Sequence, residues 1–201
     1  MSPEYVPFVI IAFVATLLDI VVNDKVCWFV LRVTYQRELI AKAMLDALGI
    51  ESFIPTCSVR VKRLGKYINE TKALIHNYIF VRATRRKIEE LKRGKLSFLR
   101  YVMCNNEMGL RVAQTVPERQ MNSFIAIAGN YEEQALFLNI DELKFVKGDR
   151  VRVLSGVFEG VEGVLVKLPR KRDKRVVVEI SGVVAVATTA ISPALVQKID
   201  N

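Results

Sequence analysis

The chain has 201 residues, a net charge of +9 and one histidine, a length for one medium or two small domains and a balance favouring acidic partners such as nucleic acid, anionic lipid or an acidic protein face. Its three cysteines, Cys27, Cys57 and Cys104, are scattered without a CxxC, which supports neither a zinc ribbon nor a disulfide framework. No His/Cys/carboxylate set has metal-ligand spacing and no GxxxxGK[ST] or GxSxG occurs, so no catalytic residue, metal or cofactor is expected and the chain is read as a non-enzyme.

Residues 1–25 form a hydrophobic leader in which Tyr5 to Leu18 carries no charge before Asp19. The run is shorter than the ~20 residues of a spanning helix, and Asp19 is costly at membrane depth. No Lys or Arg precedes it, unlike a signal peptide. A membrane anchor, an extra helix packed on the body and an over-extended gene model stay open as readings.

VCWFVLRV, Val26 to Val33, is β-branched and aromatic and predicts a buried strand with Trp28 and Phe29 in the core. YQRELIAKAMLDALG predicts a helix with Leu39, Ala43 and Leu45 to Leu48 recurring on one face and Gly49 as its stop. ESFIPTCSVRVK resumes a strand, with Pro55 at an edge or bulge, and RLGKYINETK forms a polar hairpin tip around Gly65. Ala73 to Ala83 reads as one strand. Thr84 then opens a short helix with Ile88 and Leu91 on one face, ending at Gly94.

LSFLRYVMC is a further strand, and CNNEMG turns into GLRVAQ. Thr115 to Glu118 fits a capping box for a helix whose Met121, Phe124, Ile125 and Ala128 point one way. The order describes an α+β fold, a ferredoxin-like α/β sandwich, over 26–129. Residues 130–145 are acidic and weakly periodic and read as a linker. Over 146–201 short valine-rich strands without a helix pattern predict a small, SH3-like five-stranded β-barrel. There Lys147-Gly148-Asp149 is turn chemistry, Val151 and Val153 face inward, and Arg150 and Arg152 face out. Gly156 and Gly160 supply positive φ around Phe158, Gly163 allows a close backbone approach, and Arg170, Lys171 and Arg172 sit on a basic hairpin tip.

Two segments together carry a resemblance. WFVLRVTYQRELIAKAMLDALGIESFIP with HNYIFV downstream resembles the N-terminal (NGN) domain of NusG-type transcription elongation factors, and GDRVRVLSGVFEGVEGVLV resembles the KOW motif of the same family's C-terminal domain. The wording is most similar to the UpxY branch, antiterminators of capsular polysaccharide loci. The resemblance implies a cytoplasmic, monomeric antitermination factor promoting transcription through a long operon. A housekeeping NusG coupling polymerase to Rho or the ribosome, and a KOW-type ribosome-associated RNA-binding protein, are the alternatives.

The resemblance further implies RNA polymerase as partner, gripped at its β′ clamp helices by Val30, Ile75, Tyr78, Phe80 and Tyr101. Sheet core is the competing reading for the same residues, because strand alternation must bury one set. The β gate loop contact is in doubt, since Lys87-Ile-Glu89-Glu90 stands where specialised relatives carry His-Thr-Thr. Arg60, Lys62, Arg63 and Lys66 on the hairpin, with Arg85 and Arg86, could reach phosphates of nascent RNA or non-template DNA. Arg37 and Lys42 join them by analogy with specialised relatives, and the basic tip of the barrel is a candidate for RNA or ribosome contact. A solvated charged face is the bland alternative for all of these basic residues. Membrane contact by the leader stays open.

Overall fold

The computed structural model describes residues 25–129, 136–138, 148–167 and 173–199. Nearly all of the leader, Lys147, and the tip residues Arg170, Lys171 and Arg172 lie outside them.

Strand β1 (Cys27–Val33) is the axis of the first sheet. It pairs antiparallel with β5 (Tyr78–Ala83), β6 (Leu99–Tyr101) and β9 (Thr115–Val116), and β5 pairs with β2 (Ser52–Phe53) at the edge. Successive side chains of a strand point to opposite faces. On one face Phe29, Leu31, Val33, Ile79 and Val81 pack against Ala41 and Leu45 of helix α1 (Glu38–Ala47) and Ile88 and Leu91 of helix α2 (Arg85–Arg93). On the other face Trp28, Val30 and Phe80 pack with Met121, Phe124 and Ile127 of helix α3 (Glu118–Ala128). Helices therefore cover both faces of the sheet.

Two ribbons stand apart from it: β3 (Thr56–Arg63) with β4 (Lys66–Ala73), and β7 (Met103–Asn105) with β8 (Arg111–Ala113). The second sheet is all antiparallel, in the order β10 (Leu136–Leu138), β14 (Val184–Ala187), β13 (Lys174–Ile180), β12 (Glu162–Lys167), β11 (Asp149–Val153), β15 (Val196–Lys198). Its Val151, Val153, Phe158, Val176, Val178 and Val186 belong to the same buried cluster as Trp28, Val30 and Phe124. The two sheets share one core, and α3 is the layer between them.

Several details depart from the periodicity. Helix α1 buries Glu38, Ala41 and Leu45, while Leu39, Ala43 and Leu48 face solvent. Of the residues that apolar spacing picks out only Leu45 is buried, and Glu38 is taken inward instead by a partner far along the chain. The Ala73–Ala83 run is broken, because Asn77 adopts a left-handed φ of 67° and turns the chain between β4 and β5. The capping box before α3 does not form. Thr115 is held in β9 opposite Phe29, and Pro117 caps the helix without a side-chain bond. Inside α3 it is Ile127, rather than Ile125, that is fully buried. Thr84 does cap α2, accepting from the Lys87 amide at 3.1 Å.

Among the described residues five strands of the second sheet, β11 to β15, lie within 146–201, and a sixth joins them from before that span. Leu136–Leu138, in the segment read as linker, pairs with β14. Gly156 and Gly160 have φ of 90° and 81°, and Phe158 is buried beside them. Gly148 and Gly163 answer a different need, close approach. A Cβ at Gly163 would sit 2.5 Å from the Val177 carbonyl oxygen, and one at Gly148 would meet the Leu165 carbonyl oxygen at 2.3 Å. Gly148 therefore serves strand packing as well as the turn chemistry read from its neighbours.

Candidate functional site

Strand register brings Val30 directly opposite Phe80, with Arg32 opposite Tyr78. Val30 and Phe80 are completely buried. The Phe80 ring meets Phe124 of α3 at 5.3 Å and 60°, and Phe53 meets the same ring at 5.9 Å and 88°. Val30 and Phe80 are thus corrected from contact residues to core: α3 lies over them and no partner reaches them in this conformation. Ile75 is also nearly covered, and Tyr78 is half-buried at the margin of the cluster.

Tyr101 does not join this group. It pairs with Leu31, on the α1/α2 face, with its ring 5.7 Å from Phe29 and the Lys92 ammonium 4.3 Å from its centroid. Burial, and then the Glu89 carboxylate, hold its phenol above the usual range. Removal from the opposite face follows from alternation: Tyr101 is level with Leu31, one residue past Val30.

The second sheet closes the margin of the Tyr78 face. The Gln114 amide donates to the Ser181 carbonyl at 2.8 Å, and the Gln114 backbone amide bonds to Val102 beside Val30. Along α3, Gln120 donates to the Glu179 carbonyl at 2.6 Å, and Ser123 Oγ accepts from the Glu162 amide at 3.0 Å. Gln114 and Ser123 are buried and stay satisfied only in one docked geometry, so their bonds fix orientation more than they add affinity, while the Gln120 bond is exposed.

The basic residues divide into those in hydrogen bonds or ion pairs and those that are exposed, of which Arg60 and Lys62 lie over the Tyr67 ring and Arg85 over the Tyr101 ring. Arg37 is held: it donates to the Thr34 carbonyl and hydroxyl, both at 3.1 Å, and its guanidinium lies 4.1 Å over the Phe98 ring. Lys42 pairs with Asp46 one turn on at 2.9 Å. Arg63 pairs with Glu70 across its ribbon at 2.8 Å. Arg85 and Arg86 are exposed in the first turn of α2. Arg60, Lys62 and Lys66 are exposed on the β3–β4 ribbon, all of whose residues from 62 to 69 are open to solvent.

Sequence reasoning missed three groups. Tyr67 sits on the ribbon with Arg60 4.7 Å and Lys62 5.9 Å from its ring centre. Leu64 is fully exposed at the ribbon tip. Glu38 is buried and accepts from the Asn77 backbone amide, tying the start of α1 to the loop before β5. Only Leu64 left a trace in the sequence, as a leucine before the glycine of a two-residue turn. Among the described residues no group of three His, Cys, Asp or Glu side chains is placed to hold a metal ion, and no helix is long and apolar enough to cross a membrane.

A family model described as transcription termination factor NusG matches residues 26–144, the first sheet with its helices and the segment after α3. No curated protein matches the chain. A solved structure described as domain interaction in Thermotoga maritima NusG is 20% identical, with a TM-score of 0.40, over 88% of this chain and 98% of that one.

Proposed function

The chain belongs to the NusG family of transcription factors, and from that premise we propose that it is a non-catalytic, cytoplasmic elongation and antitermination factor that binds RNA polymerase. The family match over residues 26–144 carries this reading. The specialised role, transcription through one long capsular or surface polysaccharide operon, rests on the UpxY-like wording of the sequence.

On this reading the β′ clamp helices seat on the margin of the α3 face, where Tyr78 is the half-buried member of the set and Ile75 lies nearly covered beside it. Tyrosine suits such an anchor, since a few aromatic contacts dominate interface energy. The second sheet, read as a KOW domain, shares the buried cluster with Tyr78, so it withdraws before the clamp helices can seat. Polymerase would then select the undocked population. The β3–β4 ribbon and the first turn of α2 present Arg60, Lys62, Lys66, Arg85 and Arg86 to nucleic acid in the transcription bubble.

The test is co-purification of the full chain with core polymerase, wild type against Tyr78→Ala, followed by genome-wide occupancy. Wild type retained and Tyr78→Ala lost is the expected result. A chain not retained sinks the function, and a Tyr78→Ala chain retained as well as wild type sinks the clamp site alone. Occupancy at one locus supports the specialist, and occupancy of most genes overturns it in favour of the housekeeping factor.

A further inference from the structure

Helix α1 has an apolar solvent side. Its residues ELIAKAMLDA include three charged ones, of which Glu38 is buried while Lys42 and Asp46 pair with each other at 2.9 Å. Leu39, Ile40, Ala43 and Ala47 are exposed at the three- and four-residue steps of one helix face, with Leu48 beside them. Ile40 and Leu48 are each more than half open to water. Helix α2, packed on the same side of the sheet, shows the usual alternative: seven of its nine residues are charged, and Ile88 and Leu91 are its buried ones. A helix that is apolar nearly all round is normally covered on every side, and a contiguous apolar patch marks a contact.

The size of the patch argues against a free partner. A ten-residue helix is about 15 Å long and 10 Å wide, so its outer side offers on the order of 200 Å², against about 800 Å² per partner in a stable interface. A segment already tied to the body escapes most of the entropy that association costs, so a small apolar seat holds it. The leader is such a segment. It runs directly into β1, Tyr5 to Leu18 carries no charge, and Asp19 is the one charged residue within 5–22.

Its point of attachment lies at the matching end of the sheet. The Glu51 carbonyl, four residues past the end of α1, accepts from the Arg82 amide at 2.9 Å, and Arg82 is paired with Trp28, the second residue of β1. The end of α1 and the start of β1 therefore share one end of the sheet, two strands apart in the order β2, β5, β1, or about 10 Å. Cys27 packs against the cluster that α1 and α2 cover, and Val26 ahead of it is exposed. Even at a rise of only about 1.5 Å per residue, 5–22 would span roughly 27 Å, more than the length of α1.

We propose that residues 5–22 seat on the solvent side of α1, along Leu39, Ile40, Ala43 and Ala47, as an intramolecular cover. The leader is then part of the folded body and not a membrane segment. This cover is separate from the proposed polymerase contact, because Tyr78 and Ile75 pack with the cluster on the opposite face of the sheet.

The test follows the full chain by hydrogen exchange and mass spectrometry, with sedimentation for its oligomeric state. Amides within 5–22 should exchange about tenfold or more slowly than in an unprotected chain, and the chain should be a monomer. Leu39→Lys with Ile40→Lys places good helix formers at exposed positions, so it keeps α1, and it should return those amides to the unprotected rate. Met108→Lys, at an exposed apolar residue on the tip of the β7–β8 ribbon, should leave the protection in place. Ile11→Asp with Val14→Asp alters no residue of the described fold, and it should raise the labelling of Leu39 and Ile40 by a diazirine-derived carbene. Unprotected exchange of 5–22 in wild type, protection that survives the paired lysines, protection lost in Met108→Lys as well, or labelling unmoved by the aspartates would each overturn the cover. A wild-type dimer that the paired lysines dissolve would overturn it too, giving the face to a second copy. So would flotation of wild type with phosphatidylcholine–phosphatidylglycerol vesicles that the aspartates abolish and the paired lysines leave intact, since the leader would then belong to a membrane.

Discussion

Phe124→Ala should damage both halves of the molecule at once. Phe124 is fully buried in α3, its ring edge-on to Phe80 at 5.3 Å and to Phe53 at 5.9 Å, and the residue before it makes the Ser123 contact to the second sheet. Truncating a buried phenylalanine costs about 3–5 kcal/mol, of which each edge-on ring pair accounts for about 0.5–1.5 kcal/mol. A domain of this size has only about 5–15 kcal/mol in total, so the variant loses between roughly a fifth and all of its stability. With a urea slope near 2 kcal/mol/M the midpoint should fall by roughly 1.5–2.5 M. The assay is urea unfolding followed by far-ultraviolet circular dichroism and by the emission of Trp28, the single tryptophan, which lies in the shared cluster. Both probes should shift together. A midpoint drop under about 0.5 M would refute the claim that α3 is packed from both sides, since a fully buried ring cannot be removed at so little cost.

Trp28→Phe should cost less than about 1 kcal/mol, because the buried Trp28 Nε1 has no hydrogen-bond partner and its loss offsets part of the cavity; a melting curve shifted as far as that of Phe124→Ala would contradict this. Asp149, paired with Lys198 at 2.8 Å, has its carboxyl held below the usual range by that hydrogen bond and charge. A depressed folded-state pKa means the pair's contribution is present above the unfolded carboxylate range and fades as pH falls through the folded value. Asp149→Asn should therefore lower the urea midpoint slightly at pH 7 and match wild type at pH 2, and a constant difference at both would tell against the ion pair.

The strands of the first sheet were legible because Trp28 to Val33 and Tyr78 to Val81 combine β-branched and aromatic residues over a length only a strand explains. Helix α2 was legible too, since Thr84, Ile88, Leu91 and Gly94 supply cap, face and stop locally. The face of α1 was not, because what orients it is Glu38 accepting from Asn77, a partner 39 residues away. The separation of Tyr101 from the rest of the proposed contact set was not legible for a related reason. A resemblance carries residues across one at a time, and which sheet face each occupies depends on the register between β1 and β6.

By itself the sequence determined the mixed α+β character, the family-like order of strands and helices, the basic balance and the glycine positions, since these follow from local chemistry repeated along the chain. Tertiary structure alone decided that Val30 and Phe80 lie under α3, that both sheets share one core, and that the ribbon ends in a strained, exposed leucine. Those outcomes depend on which surfaces meet, and burial is a property of the pair of surfaces, not of either segment read alone.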